Sequence, residues 1–244
     1  MKLTNHVYLV GSGNFGLSHC FDCSVFIVDC GKELVMIDAG AGCEPERIVR
    51  NMKDDGLSTS NLRHVLLTHG HADHSCGARY FQEQLGCKIY LGEQEADMVE
   101  KGDEKDLSLD IAKKSGFYSP DYMFINCRID VRLRHKERIS CGDCAFEALH
   151  VPGHSPGSIC FLIDLPEGRA LFSGDTVFPD GVIGMLNCDG SELSDYRRYI
   201  RRLEGLGIEM LFPGHRVFVV SGGQMHVDQA IESLALLQIP RNFI

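Results

Sequence analysis

An apolar segment that ends directly in a cluster of metal-ligand side chains constrains this chain most. Val65–Leu67 is followed within a few positions by His69, His71, Asp73 and His74. Side chains two apart on an extended segment point the same way, so His69 and His71 can hold one ion together. Asp73 and His74 follow where the backbone turns into a helix, and they can face a second ion. Imidazole and carboxylate groups are the usual ligands of zinc and similar metals, so the cluster predicts a metal site.

Three later segments each add one ligand-type side chain after an apolar stretch. They carry His154, Asp175 and His215, each beside a glycine. Sites of α/β proteins usually gather on loops that leave strand ends, so we expect these three side chains to join the first cluster. The seven residues together supply enough ligands for two metal ions with open positions for water.

Short apolar strands alternate with amphipathic helices along the chain. Strands are predicted at Val7–Val10, Ser24–Val28, Leu34–Ile37, Leu62–Leu67, Lys88–Leu91, Arg132–Arg134, Phe146–Val151, Ser158–Ile163 and Ala170–Ser173. Helices are predicted at Glu44–Asp54, Gly77–Leu85, Ser194–Leu203 and Val227–Leu237. This alternation favours the α/β class. No linker or low-complexity stretch divides the chain, which we therefore expect to form a single domain over residues 1–244.

Composition and charge limit the classes of molecule that this protein is expected to bind. With 44% hydrophobic residues, the chain is neither disordered nor fibrous. Its net charge of −10 repels phosphate backbones and anionic membranes. No apolar run approaches the roughly 18 residues of a membrane span, and the N-terminus lacks a signal-peptide pattern. We therefore predict a cytosolic (cytoplasmic) protein with a small-molecule substrate and neither nucleic acid nor a membrane as partner, and a homodimer stays open.

The eleven cysteines form no obvious zinc ribbon. The two Cys-x-x-Cys pairs, Cys20–Cys23 and Cys141–Cys144, lie too far apart in sequence for such a module. Reduced thiols are expected in a chain without a secretory signal. We interpret Gly142-Asp143 as a hairpin turn, with the cysteines as small apolar residues.

Two further segments allow competing interpretations. Glu93–Asp110 carries eight acidic residues and few large apolar ones, which favours a solvated helix pair. Ile111–Tyr122 contains Phe117, Tyr118 and Tyr122 near a proline, and these aromatic side chains could line a substrate pocket.

The combined motifs resemble the metallo-β-lactamase superfamily. His-x-His-x-Asp-His is followed by Gly-His-Ser-Pro-Gly-Ser, Ser-Gly-Asp-Thr and Pro-Gly-His, and Met36-Ile37-Asp38-Ala39-Gly40 matches the family's early Asp-x-Gly turn. The motifs run from Asp38 to His215 and so cover most of the chain. The resemblance implies a four-layer αβ/βα sandwich, with the site on one edge between two sheets.

The resemblance also implies a role for each ligand-type residue. Two divalent metal ions are expected, with zinc the first choice and iron or manganese compatible with the same donors. Metal one would be held by His69, His71 and His154, and metal two by Asp73, His74 and His215. Asp175 would bridge the ions, and Asp38 would support the histidine segment. The remaining histidines match no ligand position: His6, His19, His64, His135, His150 and His226. Of these, His19 lies in a glycine-rich loop that could reach the mouth of the site.

The residues around Asp175 indicate a branch of the superfamily. The zinc β-lactamases that resemble this chain carry Cys or Ser at that position, which disfavours antibiotic hydrolysis. Gly174-Asp175-Thr176-Val177-Phe178 is similar to the Gly-Asp-Thr-Leu-Phe of the glyoxalase II branch, whereas lactonases tend to place Tyr where Phe178 stands. A small thioester is therefore the preferred substrate. Whether glutathione is bound stays open, because the helical extension of glyoxalase II is not matched after His215.

The expected chemistry is a binuclear, hydroxyacylglutathione hydrolase-like reaction. A hydroxide bridging the metal ions attacks a carbonyl, and Asp73 orients the nucleophile and passes on its proton. Three alternatives on the same fold stay open: a lactonase, a mononuclear-iron persulfide dioxygenase and an RNA-processing hydrolase.

Overall fold

Two mixed β-sheets form the centre of the protein. The computed structural model describes residues 1–237 and 240–243. The first sheet contains, in spatial order, β1 (Val7–Gly11), β2 (Val25–Cys30), β3 (Glu33–Ile37), β4 (Leu62–Leu66), β5 (Lys88–Gly92) and β6 (Val131–Leu133). The second sheet contains β7 (Glu137–Cys141), β8 (Cys144–His150), β9 (Ile159–Leu165), β10 (Gly168–Gly174) and β11 (Met210–Pro213), again in chain order across the sheet.

The α-helices of the described residues lie mainly on the outer faces of the two sheets. They are α1 (Pro45–Asp54), α2 (Ala72–Ser75), α3 (Ala78–Leu85), α4 (Glu93–Lys101), α5 (Leu109–Lys114), α6 (Leu193–Tyr199) and α7 (Gly223–Ala235). Helices α1, α3 and α4 pack on the first sheet, whereas α6 and α7 pack on the second. None of these helices is long and apolar enough to cross a membrane.

Strand alternation divides the core into layers. In β2, Val25 and Ile27 pack toward the helices, and Phe26 packs between the sheets, because successive side chains point to opposite faces. The inter-sheet core is aromatic, with ring centroids of Phe26, Phe172 and Phe212 between 5.1 and 5.5 Å apart. The order helix, sheet, sheet, helix confirms the predicted four-layer sandwich and the α/β class.

Parallel strand pairs bring the site-bearing loops to one edge. Strands β3 and β4 are parallel, with Ile37 paired to Leu66. Strands β10 and β11 are also parallel, and Gly174 pairs with Pro213 at their ends. Neighbouring parallel strands end at the same edge of a sheet, so the segments that follow these four strands emerge side by side.

Most predicted elements are confirmed, with shifts of a few residues at their ends. The two late helices differ most. The predicted helix at Ser194–Leu203 is an α-helix only to Tyr199 and continues as a 3₁₀ turn over Ile200–Leu203. The predicted helix at Val227–Leu237 begins earlier, at Gly223, and ends at Ala235.

The predicted hairpin turn at Gly142-Asp143 is confirmed. Cys141 and Cys144 face each other across the β7–β8 hairpin turn, and the eleven cysteines are all unpaired thiols.

Candidate metal centre

All seven predicted ligands converge at one edge of the sandwich. The histidine segment follows β4, and the other donors lie on the loops after β8, β10 and β11. Five of the side chains are buried, and His71 and His215 are partly exposed. The converging residues are His69, His71, Asp73, His74, His154, Asp175 and His215.

A first donor group consists of His69, His71 and His154. The Nε2 atom of His154 lies 2.9 Å from Nδ1 of His71 and 3.1 Å from Nε2 of His69. A tetrahedral zinc ion with ordinary Zn–N bonds places its nitrogen ligands about 3.3 Å apart. The spacing of the three nitrogens therefore fits a single ion between them.

A second donor group consists of Asp73, His74 and His215. His215 Nε2 lies 3.0 Å from Asp73 Oδ2 and 3.2 Å from His74 Nε2. The third edge, from His74 Nε2 to Asp73 Oδ2, measures 3.6 Å. These distances again match donors around one small cation.

Asp175 lies between the two donor groups. Its Oδ2 atom is 3.7 Å from His154 Nε2 and 3.5 Å from His215 Nε2, so it faces both groups. Its Oδ1 atom is buried and accepts no hydrogen bond from the described residues. An unpartnered buried oxygen costs about 1–3 kcal/mol, which a bound cation would offset. A buried orphan oxygen at this point supports the fit of the donor set to metal.

Glycine at position 214 keeps the space between the donors clear. A Cβ atom there would lie 2.4 Å from Asp175 Oδ1 and 2.5 Å from His74 Cε1, which are impossible contacts. Only glycine therefore permits His215 to approach the other donors from β11, and this is the physical reason for glycine in the Pro-Gly-His motif.

Hydrogen bonds orient the imidazoles toward the centre. Nδ1 of His74 donates to Asp38 Oδ2 at 2.8 Å, and Nδ1 of His154 donates to the Gly184 carbonyl. Nδ1 of His69 lies 3.1 Å from the Thr68 hydroxyl. With a proton on each Nδ1, these three histidines present an Nε2 lone pair to the centre, as metal ligands usually do.

Asp38 lies beneath the histidine segment, at the place where the resemblance implies a supporting role. Its carboxylate also accepts bonds from the Thr68 amide at 2.7 Å and from the Thr68 hydroxyl at 2.9 Å. Its backbone is left-handed, with a φ of 59°. One carboxylate therefore fixes both the backbone before the first histidine and the ring of His74.

Glu95 is a supporting residue that the sequence interpretation missed. The prediction that Glu93–Asp110 is a solvated helix pair is wrong at Glu95, which is only 2% exposed. Its two carboxylate oxygens accept hydrogen bonds from the amides of Gly70, at 2.6 Å, and Gly157, at 3.0 Å. Glu95 therefore ties together the two loops that carry the first donor group. Its place one turn before the buried Val99 on α4 is the sequence signal that could have found it.

The electrostatics of the two donor groups differ. Burial lowers the pKa of His69 well below its ordinary value and that of His71 to about 3, so both rings are neutral at neutral pH. Burial alone would lower the pKa of His215, but the carboxylates of Asp175 and Asp73 raise it. The pKa of Asp73 falls to about 2, because His74 and His215 outweigh the opposing effect of burial.

Aromatic side chains from the predicted pocket segment lie beside the second donor group. Tyr118 is buried and stacks on Tyr122 with ring centroids 4.6 Å apart, and it also contacts Phe21 at 5.0 Å. Burial, and next the negative charge of Asp73, raise the pKa of Tyr118. The ring of His19 packs against that of Phe21, with centroids 5.0 Å apart. Among the described residues, His19 belongs to neither donor group.

A cleft of about 170 Å³ opens beside His71 and offers an approach to the first donor group. Its walls come from the His71 loop, from α4 and the segment after it, and from the loops around Ser155 and Asp189. The lining residues include Gly70, His71, Met98, Lys105, Leu107, Ser155 and Asp189.

The sequence model of the metallo-beta-lactamase superfamily matches residues 20–215, and the chain belongs to this family. In three dimensions it is similar to the subclass B3 metallo-beta-lactamase BJP-1 of Bradyrhizobium japonicum. The TM-score is 0.74 at 20% identity, covering 95% of this chain and 89% of that one. This likeness shows the shared fold.

Three relatives with named activities match over most of the chain. It is 30% identical to the acyl-coenzyme A thioesterase MBLAC2 of Gallus gallus, over 84% of this chain and 78% of that protein. It is 32% identical to the hydroxyacylglutathione hydrolase GloC of Haemophilus influenzae, over 66% and 68%. It is 27% identical to the atrochrysone carboxyl ACP thioesterase of Aspergillus fumigatus, over 94% of this chain and 62% of that protein. The chain therefore spans less than two thirds of the fungal enzyme.

Proposed function

We propose that this protein is a metal-dependent thioester hydrolase in which the seven converging residues hold two divalent ions. The observation that carries the proposal is the position of Asp175, whose buried carboxylate faces both donor groups and has an oxygen with no hydrogen-bond partner among the described residues. Such ions, when bound, lower the pKa of water and polarise a substrate carbonyl. Zinc is the first choice of metal because the donors are imidazoles and carboxylates.

The relatives support a thioester as the bond that is cleaved. The three activities named above involve an acyl group on coenzyme A, on glutathione or on an acyl carrier protein. Their carriers differ, and the thioester is what they have in common. The carbon–sulfur bond of a thioester is therefore the bond proposed to be cleaved.

Asp73 is the residue proposed to handle the proton. Its pKa of about 2 keeps the carboxylate ionised at neutral pH, so it can accept a hydrogen bond from the attacking water. The water oxygen bonds to the acyl carbon, the carbon–sulfur bond breaks, and Asp73 passes the water proton to the departing thiolate. The products are a carboxylic acid and a thiol.

The test is thiol release from a panel of thioesters by protein reconstituted with zinc. The panel contains S-lactoylglutathione, short and long acyl-coenzyme A esters, and an acyl-N-acetylcysteamine. We expect turnover of at least one member, with loss of turnover in His71→Ala. A matched control is His135→Ala, since His135 lies outside the donor groups. Absence of turnover across the panel by protein with two ions bound would reject the thioesterase proposal.

A further inference from the structure

The last described residues of the chain, Pro240–Phe243, lie against the metal centre. We term them the C-terminal segment. They fall outside the stretch that matches the family, residues 20–215. The Ile183 amide donates to the Arg241 carbonyl at 2.9 Å, and the Phe243 amide donates to the Ile183 carbonyl at 3.0 Å. The C-terminal segment therefore runs beside residues 183–185 like a short added strand.

Asn242 fixes the backbone around Gly184. Its side-chain oxygen accepts from the Met185 amide at 2.8 Å, and its side-chain nitrogen donates to the Met185 carbonyl at 2.7 Å. Ile183 is held on the other side by the bonds just described. The Gly184 carbonyl between these anchors accepts the Nδ1 proton of His154. Asn242 thus fixes the orientation of the Gly184 carbonyl, and this carbonyl in turn orients the ring of His154.

Phe243 packs against a donor of the other group. Its ring is nearly parallel to the imidazole of His215, with centroids 5.6 Å apart and planes inclined by 17°. It also stacks on the buried ring of Phe178, at 4.8 Å. The Arg216 guanidinium donates to the Phe243 carbonyl and lies 5.4 Å from its ring centroid. Phe243 is therefore held from two sides in contact with His215.

From these contacts we infer that Asn242 and Phe243 are positioning residues of the metal centre. Asn242 acts on the first donor group through Gly184 and His154, and Phe243 acts on the second donor group through His215. The inference rests on the proposed metal ligands. Partners that orient metal ligands typically contribute 10–100-fold in metal affinity, so each substitution is expected to weaken one ion by about tenfold or more.

The experiment measures zinc affinity directly, by competition with a chromophoric chelator, for metal-free protein and its variants. Asn242→Ala and Phe243→Ala are each expected to weaken a different one of the two binding constants. Phe243→Tyr keeps the stacked ring and should restore the wild-type constant. Met225→Ala removes an exposed side chain from α7 and should change neither constant. Absorption spectra of the cobalt-substituted proteins should change in the two alanine variants alone.

The outcomes separate this inference from the proposed function. Wild-type protein that binds two zinc ions, with unchanged constants in both alanine variants, would overturn the inference and leave the metal centre intact. Equal weakening of both ions in each variant is what general loss of stability produces, and it would also overturn the inference. Wild-type protein without bound zinc would overturn both proposals together.

Discussion

The two donor groups have similar spacing but opposite electrostatics. In the first donor group, burial lowers the pKa of every imidazole. In the second donor group, burial acts in the same direction on His74 and His215, but nearby negative groups raise the pKa of both rings. The carboxylate of Asp73 belongs to the second group and is the main difference in composition. Charge, and not distance, therefore distinguishes the two proposed ion positions.

Their supports differ in the same way. In the first donor group, the rings of His69 and His154 contact uncharged partners, the Thr68 hydroxyl and the Gly184 carbonyl, and the Glu95 carboxylate holds the loop backbone. The second donor group is oriented by the Asp38 carboxylate on one side and by the Phe243 ring on the other. A charge-assisted bond to His74 is stronger than a neutral one, so the second group depends more on a single support.

The largest effect on turnover and metal content is expected at Asp175, which faces both donor groups. Asp175→Asn keeps the shape of the side chain but removes the charge that both groups face. Loss of a direct donor should exceed the effect of losing an outer partner, so we expect more than about a hundredfold loss of thioester turnover and fewer than two ions per chain. Elemental analysis and thiol release measure the two quantities. Asp54→Asn, on the surface of α1, is the control. Two retained ions with wild-type turnover would contradict the shared role.

Removing the charged support should affect the groups unequally. Asp38→Asn replaces one acceptor oxygen by an amide donor, which then faces either the Nδ1 proton of His74 or the backbone N–H of Thr68. We expect zinc affinity at one of the two positions to fall about 10–100-fold and the other to fall less. Chelator competition measures both constants. Asp29→Asn makes the same chemical change at a carboxylate whose hydrogen bond, within the described part of the chain, comes from the turn amide of Gly31, and it should be neutral. Equal loss at both positions would remove the proposed difference in support.

As the pH falls, the two proposed ion positions should lose their metal ions one after the other. A raised pKa means that protons bind at higher pH, so His74 and His215 compete with an ion before the first donor group does. The low pKa of His71, about 3, keeps that ring available as the pH falls. Equilibrium dialysis between about pH 8 and pH 5, followed by metal analysis, should show loss of one ion before the other. Simultaneous release of both ions would show that the electrostatic difference has no effect on metal binding.

The smallest effect is expected at Glu95, which holds together the two loops of the first donor group. In Glu95→Gln, only one side-chain oxygen remains, so either the Gly70 or the Gly157 amide loses its acceptor. An unpartnered buried amide costs about 1–3 kcal/mol of unfolding free energy, measured by urea titration. Metal affinity should fall by less than about tenfold, since Glu95 acts through the backbone. Glu83→Gln, on the exposed face of α3, is the matched control. An unchanged free energy of unfolding would show that the two amides find other partners.

The convergence of the seven ligand-type side chains could be predicted from the sequence because their signals are local. His69 to His74 lie next to one another after a strand, and each later donor follows an apolar stretch and adjoins a glycine. The layered fold was predictable for a similar reason, since strand and helix periodicity are properties of short windows. The exact ends of α6 and α7 were not, because tertiary packing decides where a helix stops.

The supporting residues were harder to predict because their partners are distant in sequence. Glu95 lies in an acidic stretch whose composition is typical of a solvated surface, and its partner amides are 25 and 62 positions away. Asn242 contacts Met185 across 57 positions and carries no motif. Such contacts depend on how the elements pack, which periodicity does not encode.

Each donor group takes side chains from both sheets, and this has a consequence for the lifetime of the protein. His69 and His71 follow β4 of the first sheet, whereas His154 follows β8 of the second. Bound ions would therefore fasten the two halves of the sandwich together. A ligand that binds only the folded state adds about 2.7 kcal/mol of stability at a hundred times its dissociation constant. The metal supply of the cell would then set how long each copy of the chain survives proteolysis, as well as how fast it works.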